Sequence, residues 1–176
     1  MRRKDIKTKI REYFFLNPEV KLRVREIERK LKLPLPSVIR YCQELEQEGI
    51  LTRAKTGSVT FYTPSRSEKY LLEKRLYNLQ QIYESGLIDY LKIELSNPAV
   101  VLFGSYAKGE DTENSDIDLY LETPSKKKVN LEKFKKLLRR EIQIFQHKNI
   151  KEITNFHLAN NIINGITLNH FIEVFR

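Results

Sequence analysis

Two aspartates separated by a single residue occur in the stretch VLFGSYAKGEDTENSDIDLYLE, which covers residues 101–122. Asp116 and Asp118 flank Ile117, and the chain turns apolar after them, which predicts a strand that places both carboxylates on one face. Two carboxylates this close repel each other unless a cation lies between them. The pair therefore predicts a divalent-cation site. Mg²⁺ suits it because this ion often uses one or two carboxylates and completes its shell with water and substrate phosphates.

A second group of residues with phosphate-binding chemistry precedes the aspartates. Gly104 and Ser105 follow the apolar run AVVLF, and a glycine at a strand end lets a phosphate approach backbone N–H groups while the serine adds a hydroxyl donor. Lys108 lies one turn further on and supplies a positive charge for another phosphate oxygen. Together the two groups predict a seat for a nucleoside triphosphate bridged through metal to the aspartates.

The spacing of Gly-Ser, ten residues and then Asp-x-Asp resembles the signature of the DNA polymerase β nucleotidyltransferase superfamily. In so short a domain it is most similar to the minimal nucleotidyltransferases of that superfamily. The resemblance implies transfer of a nucleoside monophosphate from a nucleoside triphosphate, with ATP expected, to an acceptor, and release of pyrophosphate. It also implies that Asp116 and Asp118 are catalytic and hold Mg²⁺, with two ions if a third carboxylate is present.

Members of this superfamily usually carry that third carboxylate on a neighbouring strand, where it helps to activate the nucleophile. The matching strand here is predicted in REIQIF, with Ile142 and Ile144 facing the core. Glu141 and Gln143 then face the site, and the strand register decides which of them lies beside Asp118. A glutamate there would complete the triad, whereas a glutamine cannot act as a base.

The elements around these motifs predict two domains and a connecting helix. Residues 85–176 alternate strands with helices, including a helix from Ile150 to Gly165, which predicts an α/β (α+β) nucleotidyltransferase domain with a small mixed sheet. A long helix over residues 66–84 connects it to residues 1–65. Ser65 and Glu68 form a capping-box pattern at the start of that helix.

Residues 1–65 predict three short helices and a β-hairpin, which resembles a winged helix-turn-helix domain. The third helix ends at Gly49, a residue suited to a left-handed cap. This segment carries 15 Lys and Arg against 8 Asp and Glu, whereas residues 66–176 carry 17 against 15, so most of the net charge of +9 lies in the first segment. We therefore expect DNA binding, with protein docking or a purely structural role as the alternative. The resemblance assigns the DNA contacts to Ser37, Arg40, Tyr41, Arg53 and Lys55.

The resemblance suggests an antitoxin-like DNA-binding enzyme. Minimal nucleotidyltransferases resemble the antitoxin half of toxin–antitoxin pairs, whose partner is a small HEPN-type RNase, and a protein acceptor is then expected. The second hypothesis is a transcriptional regulator that senses nucleotide with little or no turnover, and a weaker third is an aminoglycoside-modifying enzyme. A homodimer is compatible with each of them.

Composition excludes other classes of protein. No run of ~18 apolar residues is present, so we expect no membrane span or secretory signal. One cysteine, Cys42, and three scattered histidines offer no disulfide and no metal-site spacing, which favours a cytoplasmic location.

Overall fold

A computed structural model describes residues 5–174 of the chain. The chain divides into two compact units, one up to Tyr77 and one from Asn78 onward, so the division falls within a helix. The domain boundaries expected at residues 65 and 85 stay predictions. Between residues 5 and 174, no helix has both the length and the apolar character that crossing a bilayer requires.

The first unit contains three helices followed by a two-stranded hairpin, in the order predicted from the sequence. The elements are α1 (Ile6–Leu16), α2 (Val24–Leu31), α3 (Leu35–Gln47), β1 (Leu51–Thr56) and β2 (Val59–Pro64). β1 and β2 are antiparallel, and Leu22, between α1 and α2, forms a bridge to Tyr62 of β2. The hairpin therefore gains a third backbone partner. The core of this unit comes from Ile10, Phe14, Ile27, Val38, Cys42 and Leu45, all fully buried.

Local sequence explains where these helices begin and end. Asp5 caps α1 by accepting a hydrogen bond from the Thr8 N–H at 2.8 Å. Pro36 lies in the first turn of α3, where its missing N–H leaves no backbone partner unsatisfied. Gly49 follows α3 with φ of +75°, the left-handed conformation that was predicted for it.

The capping-box prediction at Ser65 was wrong. Helix α4 runs from Glu68 to Glu84, and the hydroxyl that accepts a hydrogen bond from its first turn belongs to Ser67, which binds the Tyr70 N–H at 3.1 Å. The Ser65 hydroxyl donates to the Gly49 carbonyl instead. Two serines lie near the helix start, and the local pattern alone does not identify the cap.

The second unit is a four-stranded mixed sheet with helices, and the predicted fold class is confirmed. Its elements are α5 (Leu87–Glu94), β3 (Ala99–Phe103), α6 (Gly104–Lys108), β4 (Ile117–Glu122), α7 (Glu132–Leu138), β5 (Ile142–His147), α8 (Phe156–Ile163) and β6 (Ile166–Asn169). The strand order is β5-β4-β3-β6. β3 is antiparallel to both neighbours, whereas β4 and β5 are parallel.

Each face of this sheet packs against its own core. On one face Leu119 and Leu121 of β4 join Ile142 of β5 and buried residues of α5 and α7. On the other face Tyr120 packs with Val101, Phe103 and Ile162 of α8. The alternation along β4 therefore places Asp118 on the same face as Tyr120, as the period-two pattern predicts.

Two features near the C-terminal end differ from the prediction. The helix expected from Ile150 is a single 3₁₀ turn, Ile150–Glu152, and a new helix starts at Phe156. Asn155 separates them because its side chain accepts hydrogen bonds from two N–H groups of α8 and caps it. Strand β6 was not predicted, because its four residues are too few to show a clear alternation.

Candidate functional site

The strand pairing of β3 and β4 brings the Gly-Ser pair to the Asp-x-Asp motif. Phe103 of β3 lies opposite Asp118 of β4, so Gly104, the next residue, lies against the aspartate side chain. A Cβ on Gly104 would lie 2.1 Å from Asp118 Oδ2, and the glycine has φ of +72°. Glycine is therefore required twice at this position, by its left-handed backbone and by the adjacent carboxylate.

Ser105 and Lys108 belong to the five-residue helix α6 that starts at Gly104. Ser105 is half-buried in its first turn, and Lys108 is exposed in its last turn. The Glu110 N–H donates to the Ser105 carbonyl at 3.0 Å and closes the end of the helix. The segment that contains the three residues predicted to bind phosphate, Gly104, Ser105 and Lys108, thus begins directly beside Asp118.

The two aspartates form an acidic pair in unequal surroundings. Asp118 is half-buried on the face of β4, and Asp116 is exposed just before the strand. Burial raises the pKa of the Asp118 carboxyl above its usual value of 3.8, and the negative charge of Asp116 raises that pKa further. A bound cation would lower this pKa again, because it favours the ionised form of both carboxylates. The two carboxylates therefore fit a hard divalent ion.

Two carboxylates, those of Asp116 and Asp118, meet at this point. Across residues 5–174 no group of three or more His, Cys, Asp or Glu side chains has an arrangement that holds a metal. In the parallel pairing of β4 and β5, Asp118 lies beside Gln143. The register therefore shows which residue lies beside Asp118: it is Gln143, whose side chain is an amide. The third carboxylate that a second metal ion would require is absent from this position.

Glu141 lies one strand period before Gln143, outside the paired part of β5. Its carbonyl accepts a hydrogen bond from the Ile117 N–H at 2.8 Å, which places it beside the start of β4. Its carboxylate is exposed and pairs with Lys135 of α7 at 2.8 Å.

A cleft of about 430 Å³ opens beside Asp116 toward α7. It is lined by the loop before β4 and by the basic end of α7, with these residues: Glu113, Asn114, Ser115, Asp116, Glu132, Lys135, Lys136, Arg139, Arg140 and Glu141. Its size lies in the range of small-molecule sites.

Sequence reasoning missed the network that holds the loop between the two motifs. Asp111, 2% exposed, accepts a hydrogen bond from Asn78 Nδ2 at 2.8 Å and pairs with Arg140 at 3.6 Å. Asn78 also donates to the Tyr106 carbonyl at 3.0 Å. The loop is thus anchored at α6 and at its midpoint. An asparagine and an aspartate 33 positions apart form no sequence pattern, so no local signal indicates this pairing.

The residues predicted to contact DNA lie on α3 and β1 of the first unit. Arg40 is exposed, and its guanidinium stacks over the Tyr41 ring at 4.3 Å from the centroid. Ser37 is half-buried one turn earlier, and Arg53 and Lys55 are exposed on β1. Arg53 forms an ion pair with Glu46 of α3 at 2.6 Å, which links the hairpin to the third helix.

The glutamates at the end of α3 would repel DNA if it came close, and in the structure they are paired. Glu44 binds Arg40 at 3.4 Å and Lys7 at 3.1 Å, and Glu48 binds Lys7 at 2.7 Å. Their negative charge is therefore largely compensated within the unit.

In the same unit, burial raises the pKa of the Cys42 thiol to about 12, which makes this cysteine a core residue and not a nucleophile.

Residues 84–162 match the family model described as a nucleotidyltransferase domain. The matched segment includes β3, α6, β4 and β5, and it amounts to slightly less than half of the chain. The match supports membership of this segment in the nucleotidyltransferase superfamily and a general activity of transfer from a nucleoside triphosphate. No curated protein and no solved structure matches the chain.

Proposed function

We propose that the chain is a Mg²⁺-dependent nucleotidyltransferase that transfers a nucleoside monophosphate, from ATP in the first instance, to an acceptor. In this proposal Asp116 and Asp118 hold the ion, while Gly104, Ser105 and Lys108 bind the triphosphate. A bound Mg²⁺ would neutralise charge on the carboxylates and on the phosphates. Nucleotidyltransferase domains generally use a nucleoside triphosphate and a divalent metal, in agreement with this assignment.

The observation that carries the proposal is the contact between Gly104 and Asp118. A Cβ added to Gly104 would lie only 2.1 Å from Asp118 Oδ2, so any side chain at position 104 would displace the carboxylate. The strand pairing thus supports one continuous site formed by the phosphate-binding turn and the acidic pair, which is the arrangement that metal-bound triphosphate requires.

The test compares the fate of labels on different phosphates of the nucleotide. Full-length protein is incubated with Mg²⁺ and with ATP labelled on either the α- or the γ-phosphate, together with acceptors that carry a hydroxyl or a phosphate. Nucleotidyl transfer predicts an α-label on the acceptor and a γ-label in pyrophosphate, both lost in Asp116→Asn. Transfer of the γ-label to an acceptor would instead indicate a kinase and contradict the proposal.

The register of β5 favours a second candidate, a regulator that binds nucleotide with little or no turnover. Gln143 lies beside Asp118, where the superfamily usually has a carboxylate, and an amide provides no general base. This candidate predicts Mg²⁺-dependent nucleotide binding, no transfer of the α-label, and a DNA affinity that changes when nucleotide is added.

For the first unit we propose a winged-helix role in DNA binding. The net charge of +7 over residues 1–65 and the exposed Arg40 and Lys55 support it. The resemblance and the composition suggest further features that remain proposals: an antitoxin role, a HEPN-type partner, a protein acceptor, a homodimer and a cytoplasmic location. A side-chain hydroxyl on a protein acceptor must lose a proton, and the amide of Gln143 gives that acceptor no base.

A further inference from the structure

The amide at position 143 changes the kind of acceptor that suits this site. A hydroxyl nucleophile loses its proton as it attacks, and a positioned base typically contributes ~10²–10⁴-fold to such a step. Gln143 is exposed and lies beside Asp118, but it has no basic atom that can take this proton. An acceptor whose attacking oxygen is already ionised needs no base.

Glu141 is the nearest alternative base on this strand, and its surroundings do not favour that role. Its carboxylate is 69% exposed and accepts a charge-assisted hydrogen bond from Lys135 Nζ at 2.8 Å. That bond raises the pKa of Lys135 and engages the carboxylate that would have to accept the proton. Glu141 also lies beside the start of β4 and not beside Asp118.

Two cations of the cleft beside Asp116 are available to an anionic ligand. Lys135 pairs with Glu132 and Glu141, and Arg140 pairs with Asp111. That leaves Lys136 and Arg139 as exposed cations that have no ion pair within residues 5–174. The remaining acids of the lining are Glu113 and Asp116. Because Lys135 neutralises only one of its two glutamate partners, the cleft as a whole carries no excess of positive charge, and the attraction for an anion is local to Lys136 and Arg139.

We propose that the acceptor is a small phosphate monoester that enters through this cleft and contacts Lys136 and Arg139. The inference rests on the proposed function. A phosphate monoester has a second pKa of about 6, so at neutral pH its oxygens are ionised and carry most of two negative charges. The volume of about 430 Å³ suits a small molecule.

The reaction is balanced without a base. An acceptor phosphate oxygen forms a bond to the α-phosphorus of the nucleotide, and the bond from that phosphorus to the bridging oxygen of the β-phosphate breaks. The electron pair of the broken bond leaves with pyrophosphate. No proton is removed from the acceptor, and the product contains a diphosphate bridge between the nucleoside and the acceptor.

The experiment pairs glycerol 3-phosphate with glycerol as acceptors for full-length protein, Mg²⁺ and α-labelled ATP. Phosphorus NMR identifies the linkage, because attack by phosphate gives a diphosphate bridge and attack by hydroxyl gives a phosphodiester. We expect label on glycerol 3-phosphate through a diphosphate bridge and none on glycerol. A 5′-phosphorylated oligonucleotide is the third arm. Transfer to the oligonucleotide alone would overturn the small-molecule assignment.

A binding measurement tests the cleft separately from turnover. Calorimetry with glycerol 3-phosphate, Mg²⁺ and a non-hydrolysable ATP analogue should show affinity reduced on the order of tenfold or more in Lys136→Ala/Arg139→Ala, since charge-assisted hydrogen bonds are lost. Lys133→Ala is the matched control, because Lys133 lies on α7 but does not line the cleft. Equal losses in both variants, or no loss, would overturn the assignment of the cleft.

Two further variants test the proton argument. Gln143→Asp should make glycerol a detectable acceptor, because a carboxylate at this position can take the proton, whereas Glu141→Gln should not reduce labelling of glycerol 3-phosphate. Wild-type transfer to glycerol that depends on Glu141 would overturn the inference and leave the proposed function intact. Nucleotide binding without label on either acceptor would overturn it in favour of the sensor. Absence of Mg²⁺-dependent nucleotide binding would instead refute the proposed function itself.

Discussion

Replacing Gly104 with alanine separates the structural from the functional requirement for this glycine. Its φ of +72° should cost an alanine roughly 1–2 kcal/mol, which lowers the melting temperature by about 4–8 °C for each kcal/mol in a domain of up to about 100 residues. The new Cβ also forces Asp118 Oδ2 to move by about 1 Å, since contacts under 3.0 Å essentially never occur. Displacing a metal-binding carboxylate should weaken Mg²⁺-dependent ATP binding on the order of 10–100-fold.

Gly86→Ala is the matched control for this experiment. Gly86 lies in the same unit with φ of +75°, and a Cβ there would meet nothing within 4 Å. Differential scanning calorimetry should therefore give similar stability losses for both variants, while isothermal titration with Mg²⁺ and ATP shows a loss only for Gly104→Ala. Unchanged ATP affinity in Gly104→Ala would refute the argument that this glycine makes room for a functional carboxylate.

Three other changes have expected outcomes. The raised pKa of Asp118 means that its protonated form stabilises the fold below about pH 3.8 and that this contribution is lost as the pH rises through the folded pKa. Asp118→Asn should therefore raise the melting temperature of the metal-free protein at neutral pH, and the gain should shrink toward pH 3.8 in a thermal-melt series. Asp111→Ala should destabilise the protein by roughly 3–5 kcal/mol in urea denaturation because it leaves a buried arginine unpaired, whereas Asp89→Ala, at an aspartate that is 80% exposed and pairs with Lys92, should cost less than about 1 kcal/mol. Lys55→Ala should reduce the slope of log affinity for DNA against log salt by about 1, and Lys126→Ala in the other unit should not change it.

The core of the candidate site could be predicted from the sequence because it depends on local spacing. The run AVVLF and the alternation around Ile117 are strand patterns, and a chain that reverses between them brings Gly104 toward Asp118. The alternation also predicted correctly that Ile142 and Ile144 face the core on the opposite side of the sheet from Asp118.

The features that the sequence did not determine depend on long-range geometry. β4 and β5 are joined through α7, so no tight turn fixes their register, and Glu141 and Gln143 share the same face at successive periods. The pairing of Asn78 with Asp111 joins a helix to a loop across 33 positions and has no periodic signature. The cap at Ser67 depended on the three-dimensional path of the chain after β2, which also brings Ser65 to Gly49.

The most direct test of the central claim is the affinity of the full-length protein for ATP with and without Mg²⁺, measured by isothermal titration calorimetry for three proteins. The wild type should bind ATP only when Mg²⁺ is present. Asp118→Asn should lose this binding, and Glu113→Gln, an acid-to-amide change in the loop before the Asp-x-Asp motif, should retain it. Equal Mg²⁺-dependent affinity in the wild type and in Asp118→Asn would contradict the assignment of this aspartate pair as the metal and nucleotide site.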